Sequence, residues 1–234
     1  MSRKAVQAPL FSISFKSYRE AVGENAVRLA KIAAEVSSKT SVCPMVVPQV
    51  ADIYRIAQNV PIAIVAPHVD PVPASGHNGA VVVEAVREAG AIGCMLNHAD
   101  MKLTLATIRE TISRAKEVGL LTMVCVESPQ EAQMIAMLHP DIIHAELPSL
   151  IGTDSAVSKV DAGFVSDSVR LAKEMYPQVL VTCGAGIRTS EDAAAAIRLG
   201  ADGVGASRGV VQSENPSRTI KDIVSSIERE WASR

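Results

Sequence analysis

The 234-residue chain reads as an α/β protein, a single (β/α)₈ barrel spanning 1–234, and three observations lead there. Short apolar runs rich in β-branched residues alternate eight times with stretches of helical apolar spacing. The connections are short and no shift in composition marks a boundary, which favours a closed barrel over an open doubly wound sheet. Polar residues gather just after the apolar runs, on the side where a barrel builds its site.

Taken in order, residues 10–16 form the first strand, with Phe11, Ile13 and Phe15 alternating against Ser12, Ser14 and Lys16. The first helix, 24–38, carries Val27, Ala30, Ile32 and Val36 at helical spacing. The same pairing predicts strand 41–47 with helix 49–59, strand 62–67 with helix 80–89, strand 91–97 with helix 102–118, and strand 120–126 with helix 129–138. Three further units follow: strand 141–146 with helix 162–175, strand 178–183 with helix 189–199, and strand 202–206 with helix 215–232. Gly90, Gly119 and Gly200 each sit between a helix and the next strand, as left-handed C-caps do.

Composition narrows the classes of function. With 48% hydrophobic and 21% charged residues and a net charge of −2, the chain is expected to be soluble and to bury one large core. The first residues, MSRKAVQAPLFSISFK, fit neither a signal peptide nor a membrane span, so the cytoplasm is the expected location. Scattered basic residues and 3% aromatics offer neither a phosphate-backbone footprint nor stacking platforms, which argues against nucleic acid. Cys43, Cys94, Cys125 and Cys183 fall in apolar runs without C-x-x-C spacing, so buried thiols are expected rather than disulfides or a zinc site. No metal and no cofactor are expected.

The stretch 141–159, DIIHAELPSLIGTDSAVSK, carries the clearest functional signal. A short apolar strand ends on Glu146 and opens into Pro148, Gly152, Thr153, Asp154 and Ser155, a composition that stops both strand and helix. Leu150 and Ile151 ride at the tip, as in a lid that closes and excludes water. Lys16, Asn97, His98, Glu146 and the run Gly184, Ala185, Gly186 all follow predicted strands and therefore meet at one mouth. A cation, an imidazole and a carboxylate there suit the movement of a proton beside a carbonyl. The glycines permit close backbone approach, and loops after the seventh and eighth strands of barrels often hold phosphate.

Seven segments, in order, carry a family resemblance: SFKSY (14–18), PHVDP (67–71), SGHNGAV (75–81), LNHAD (96–100), ELPSLIGT (146–153), VSK (157–159) and CGAGI (183–187). On these the chain resembles the triosephosphate isomerases of the short archaeal type, whose fold is the TIM barrel. The resemblance implies an aldose-ketose isomerase that interconverts glyceraldehyde 3-phosphate and dihydroxyacetone phosphate. It implies that Lys16 stabilises developing negative charge, His98 polarises the carbonyl and Glu146 shuttles the proton, a division of labour that belongs to the family. Ser14 would contact substrate, while Ile151 and Gly152 of the lid, Gly184, Ala185, Gly186, Gly205, Ala206 and Ser207 would hold it by its phosphate. A homo-oligomer, dimer or tetramer, is implied by residues 74–80, which resemble the loop that family members insert beside a neighbour's site.

Departures from the family cluster at the mouth. Ser14 stands in place of asparagine, Ala99 and Asp100 in place of serine and glutamate, Pro67 in place of glutamine, and Leu147 in place of the lid's first proline. GASRG (205–209) brings in Arg208. Two further readings therefore stand beside the first: an isomerase of another small phosphorylated ketose, such as a tetrulose phosphate, and a non-catalytic barrel that binds a sugar phosphate.

Overall fold

Each of the eight apolar runs forms a strand: β1 (Leu10–Ser14), β2 (Cys43–Val47), β3 (Ala63–Ala66), β4 (Gly93–Leu96), β5 (Leu121–Val126), β6 (Ile142–Ala145), β7 (Leu180–Cys183) and β8 (Gly203–Ala206). The computed structural model describes residues 6–153 and 155–234, so Asp154 of the expected lid lies outside the described residues. Every pairing is parallel, and β1 pairs with β8, Leu10 opposite Gly203, to close the barrel β1 through β8. All eight strands are shorter than expected. Closure tilts them, so only their central residues lie opposite both neighbours.

The helices are α1 (Glu24–Ser37), α2 (Ile53–Asn59), α3 (Val83–Glu88), α4 (Leu105–Glu117), α5 (Pro129–Ala136), α6 (Val157–Val160), α7 (Ala162–Met175), α8 (Ser190–Arg198), α9 (Arg208–Val211) and α10 (Pro216–Ala232). Side-chain caps set several starts. Thr104 accepts from Thr107 N and begins α4 three residues later than expected, and Ser128 accepts from Glu131 N ahead of α5. Thr189 and Asp192 form a reciprocal capping box at α8. Gly90, Gly119 and Gly200 have φ of 103°, 78° and 103°, the left-handed conformation expected of them. The expected helix 49–59 is divided, with a 3₁₀ turn at Val50–Asp52 preceding α2.

Alternation along the strands produces two apolar layers. Phe11, Ile13 and Phe15 face outward and pack with the helices, while Leu10, Met45, Val65, Met123 and Ile142 fill the barrel interior. Near the β6–β7–β8–β1 wall the interior turns polar, with Ser12, His144 and Thr182 all buried. None of the four cysteines forms a disulfide. Cys94, Cys125 and Cys183 are buried as expected, but Cys43 is half-buried because it is the first residue of β2.

The lid departs from expectation in two ways. It contains a 3₁₀ turn, Pro148–Leu150, and the short helix α6, because Pro148 suits a first helical position and Ala156 accepts from Lys159 N and Val160 N. Leu150 is not presented at the tip. It packs with Leu147 against the outer core, and Ile151 alone of the pair faces the cleft.

Candidate active site

A cleft opens at the C-terminal end of the barrel. Its lining includes Ser12, Ser14, Lys16, Tyr18 and Met95 from the first half, and His98, His144, Glu146, Ile151, Gly152 and Thr153 from the middle. Ala185, Gly186, Ile187, Arg188 and the run Gly205, Ala206, Ser207, Arg208 and Gly209 complete it. All but one of the site residues expected from sequence are therefore gathered there. Gly184 is not among the lining residues, for a reason given below.

Backbone and side chain together aim each group. Lys16 follows β1 at φ 45°, with its carbonyl accepting from Gln49 Nε2 at 2.7 Å. Asn97, at φ 61° and buried, donates from Nδ2 to the Cys125 carbonyl at 2.9 Å and accepts at Oδ1 from Leu103 N at 3.0 Å. It thereby pins the turn that carries His98. Glu146 N donates to the Val126 carbonyl at 3.0 Å, which extends the β5–β6 pairing one step and holds the carboxylate at the strand end.

Lys16 Nζ lies 3.4 Å from His98 Nε2, and His98 Nε2 lies 3.5 Å from Glu146 Oε2. Glu146 Oε1 accepts from Ala185 N at 3.2 Å and lies 3.4 Å from His144 Nε2. Burial pushes the Glu146 carboxyl up, but the His144 charge and hydrogen bond, with the charges of His98 and Lys16, outweigh it and hold the group at about 2. Glu146 is thus an ionised carboxylate in a mostly enclosed place. The ionised form is the one that can accept a proton from a carbon acid, although the same charges and hydrogen bonds that hold it ionised weaken it as a base.

His98 Nδ1 lies 2.5 Å from Asp100 Oδ1, which places a proton on Nδ1; Nε2 then accepts from Lys16 when bare, or, when the ring carries both protons, donates toward Glu146 Oε2. Donation from Nε2 to a substrate oxygen requires that Asp100, whose side chain is 76% exposed, rotate away or that the ring carry both protons. The substitution of aspartate at this place thus bears directly on how His98 acts.

The other end of the cleft is built from backbone. Gly186 has φ 73°, and a Cβ there would run into the Ser155 carbonyl at the end of the lid. Val157 N donates to the Ala185 carbonyl at 3.2 Å, and Lys159 Nζ pairs with Asp192 Oδ1 at 2.7 Å, tying the lid's trailing edge to the turn before α8. Ser207 Oγ is buried without a hydrogen-bond partner beside the same backbone. A buried hydroxyl of this kind is ordinarily satisfied by something, and a bound anion would serve.

Gly184 N donates to the Ala145 carbonyl at 2.9 Å, and a Cβ on Gly184 would lie 2.5 Å from both Glu146 Oε1 and His144 Nε2. It seats the base rather than lining the cleft. Sequence reading also assigned no site role to Ser12, Tyr18, Met95, His144, Ile187 and Arg188. The missed signal for His144 is that it stands two residues before Glu146, so both side chains point the same way from β6. Among the described residues no group of three or more His, Cys, Asp or Glu is placed to hold a metal ion.

Comparison with known proteins accords with this geometry. The triosephosphate isomerase family model matches residues 9–227. The triosephosphate isomerase of Methanobacterium bryantii is 41% identical over 221 residues, covering 94% of this chain and 98% of that protein. That of Methanothermobacter thermautotrophicus is 38% identical over 219 residues, covering 94% and 96%. That of Methanocaldococcus jannaschii is 38% identical over 215 residues, covering 92% and 98%. With one family model spanning nearly the whole barrel and relatives matched over nearly their full length, this chain belongs to the triosephosphate isomerase family.

Proposed function

We propose that this protein is an aldose-ketose isomerase that interconverts glyceraldehyde 3-phosphate and dihydroxyacetone phosphate. The observation that carries the reading is the cluster of Lys16 Nζ, His98 Nε2 and the Glu146 carboxylate, linked by contacts of 3.4 and 3.5 Å at the strand ends. Glu146 removes the proton from the carbon beside the carbonyl, leaving an enediolate, and returns it to the former carbonyl carbon, while the hydroxyl proton passes from one substrate oxygen to the other. Lys16 and His98 face the oxygens on which negative charge develops. The backbone at Gly186 and Ser207 holds the phosphate, and Ile151 and Gly152 cover it. Atoms and electrons balance within the substrate, so no cofactor takes part. A coupled assay with each triose phosphate tests the reading. Turnover in both directions is expected, and phosphate-ester binding without turnover would instead favour a non-catalytic barrel.

A second substrate has one observation in its favour. A further cleft shares Ser14, Lys16, Met95 and His98 with the first and extends toward Val47, Pro67 and His68, leaving room for a fourth carbon. The joint variant Ser14→Asn, Ala99→Ser, Asp100→Glu separates the two readings. If the present residues are a weakened support, triose phosphate turnover should rise by roughly tenfold, the scale of moving catalytic groups by a fraction of an ångström. If they admit a larger ketose, tetrulose phosphate turnover should fall instead. No change on either substrate would mean that these positions do not govern the site.

The same reading places the protein in the cytoplasm as a homo-oligomer with a small phosphorylated sugar as its substrate. Among the described residues no helix is long and apolar enough to cross a membrane. Residues 73–79 are exposed on an arm clasped at its base, where Asp70 N donates to the Val81 carbonyl and Asp70 Oδ2 accepts from Val81 N, each at 2.8 Å. An arm so held is suited to insertion beside a second subunit. Sedimentation at micromolar concentration should give a dimer or tetramer, and a monomer would overturn this part.

A further inference from the structure

Directly beneath Glu146, inside the barrel, lies an imidazole that the proposed reaction does not use. His144 is 4% exposed, and its ring has two polar neighbours. Nδ1 is 2.7 Å from Thr182 Oγ1, and Nε2 is 3.4 Å from Glu146 Oε1. The hydroxyl of Thr182 has one proton, and its other acceptor, the Ile143 carbonyl, is 3.4 Å away. If Thr182 donates to Nδ1, the neutral ring carries its proton on Nε2. If Nδ1–H donates to Thr182, an Nε2 without a proton would set a lone pair against a carboxylate, so that arrangement requires both ring protons. On either favourable assignment Nε2–H points at Glu146 Oε1.

The surroundings are shaped to admit this ring. A Cβ on Gly205 of β8 would collide with His144 Cε1 and come within 2.9 Å of Nε2, and one on Gly184 would come within 2.5 Å of Nε2. Gly205 on β8 and Gly184 just beyond β7 thus leave the space that the imidazole fills. The remaining groups that act on Glu146 come from other elements: Lys16 and His98 from the first and fourth strand ends, and the Ala185 N–H from beyond β7. The thiols of Cys125 on β5 and Cys183 on β7 are buried nearby, both pushed up by burial and by the Glu146 charge, and Asp100 stands behind His98.

The two carboxylate oxygens are therefore unequal. Oε1 is addressed by donors fixed in the barrel wall, Ala185 N and His144 Nε2, whereas Oε2 faces His98 across the cleft. Resting on the isomerase reading above, we propose that His144 is a positioning residue that holds Oε1 of Glu146 so that Oε2 is the oxygen that exchanges the proton with substrate. A donor in this position has two opposed effects. It fixes the base in direction, and it favours the ionised carboxylate, which makes the base weaker. Removing it should yield a more basic but less well aimed Glu146.

The test uses His144→Leu, which removes both ring nitrogens, and His144→Gln, whose amide nitrogen reaches the place of Nε2 and does not titrate. Turnover of triose phosphates is measured at pH 8, and the ¹³C signal of the Glu146 carboxyl, assigned by its loss in Glu146→Gln, is followed against pH. For His144→Leu, kcat should fall by about tenfold with KM little changed, because a misaimed base affects the transition state more than binding. Its Glu146 signal should titrate at higher pH than in the parent, and His144→Gln should restore most of kcat. A kcat at or above the parent's, a loss that His144→Gln fails to restore, or an unmoved carboxyl titration would each overturn the proposal. If His144→Leu does not fold, Thr182→Val takes its place: it keeps the ring but removes the hydroxyl that orients it, and kcat should fall by about threefold, an unchanged kcat counting against the role. A parent protein with no turnover would remove the isomerase reading, while the carboxyl titration would still decide whether His144 holds Glu146.

Discussion

Replacing Glu146 by glutamine is expected to lower triose phosphate turnover by about 10²-fold or more, the scale of general-base catalysis, while the barrel and its affinity for inorganic phosphate are retained. The amide is close in shape to the carboxylate, and the phosphate end of the cleft, at Gly186 and Ser207, is formed by other elements. Glu84→Gln and Glu127→Gln are the controls. Glu84 pairs with Arg114 and Glu127 with Lys102 at 3.1 Å, and neither lines the cleft. Turnover equal to the parent's in Glu146→Gln would remove the mechanism. The same variant has a signature in stability. The Glu146 carboxyl is held at about 2, below its ordinary 4.5, so folding favours the ionised form. The stability this contributes is complete above the ordinary carboxylate range and is lost as pH falls from about 4.5 toward about 2. Urea midpoints of the parent should drop more steeply over that window than those of Glu146→Gln, and parallel curves would show that the carboxylate is not held.

Gly184→Ala should be almost as damaging, through sterics alone. Gly184 is not in the left-handed region, so alanine adds no backbone strain there. Its methyl would lie 2.5 Å from Glu146 Oε1 and 2.8 Å from Glu146 Cγ, and the strand bond from Gly184 N to Ala145 prevents the backbone from yielding. The carboxylate has to move, and a displacement near 1 Å costs on the order of 10²-fold in rate. We expect kcat to fall by about that factor with only a small change in thermal stability. Gly163→Ala is the matched control, because its methyl would meet Asp161 Oδ1 at 3.4 Å, an ordinary contact. Near-parental kcat in Gly184→Ala would mean that Glu146 has another productive position.

By itself the chain specified its eightfold β/α alternation, its helix-ending glycines and the strand ends at which Lys16, His98 and Glu146 meet. Those features are local: a run of apolar residues, a positive φ or a polar residue after a strand depends on few neighbours. Seven ordered segments carried the family resemblance in the same way. The environment of each group was decided elsewhere. His144 sits in what reads as an apolar run, and only closure of the barrel sets it against Thr182 of β7, beneath Glu146 and beside Gly205 of β8. Gly184 reads as a phosphate glycine, yet its lack of a side chain makes room for the base. Leu150 reads as a lid tip, yet it finds a place in the outer core. The register between strands far apart in sequence determines which side chains share the interior, and no window along the chain contains that information.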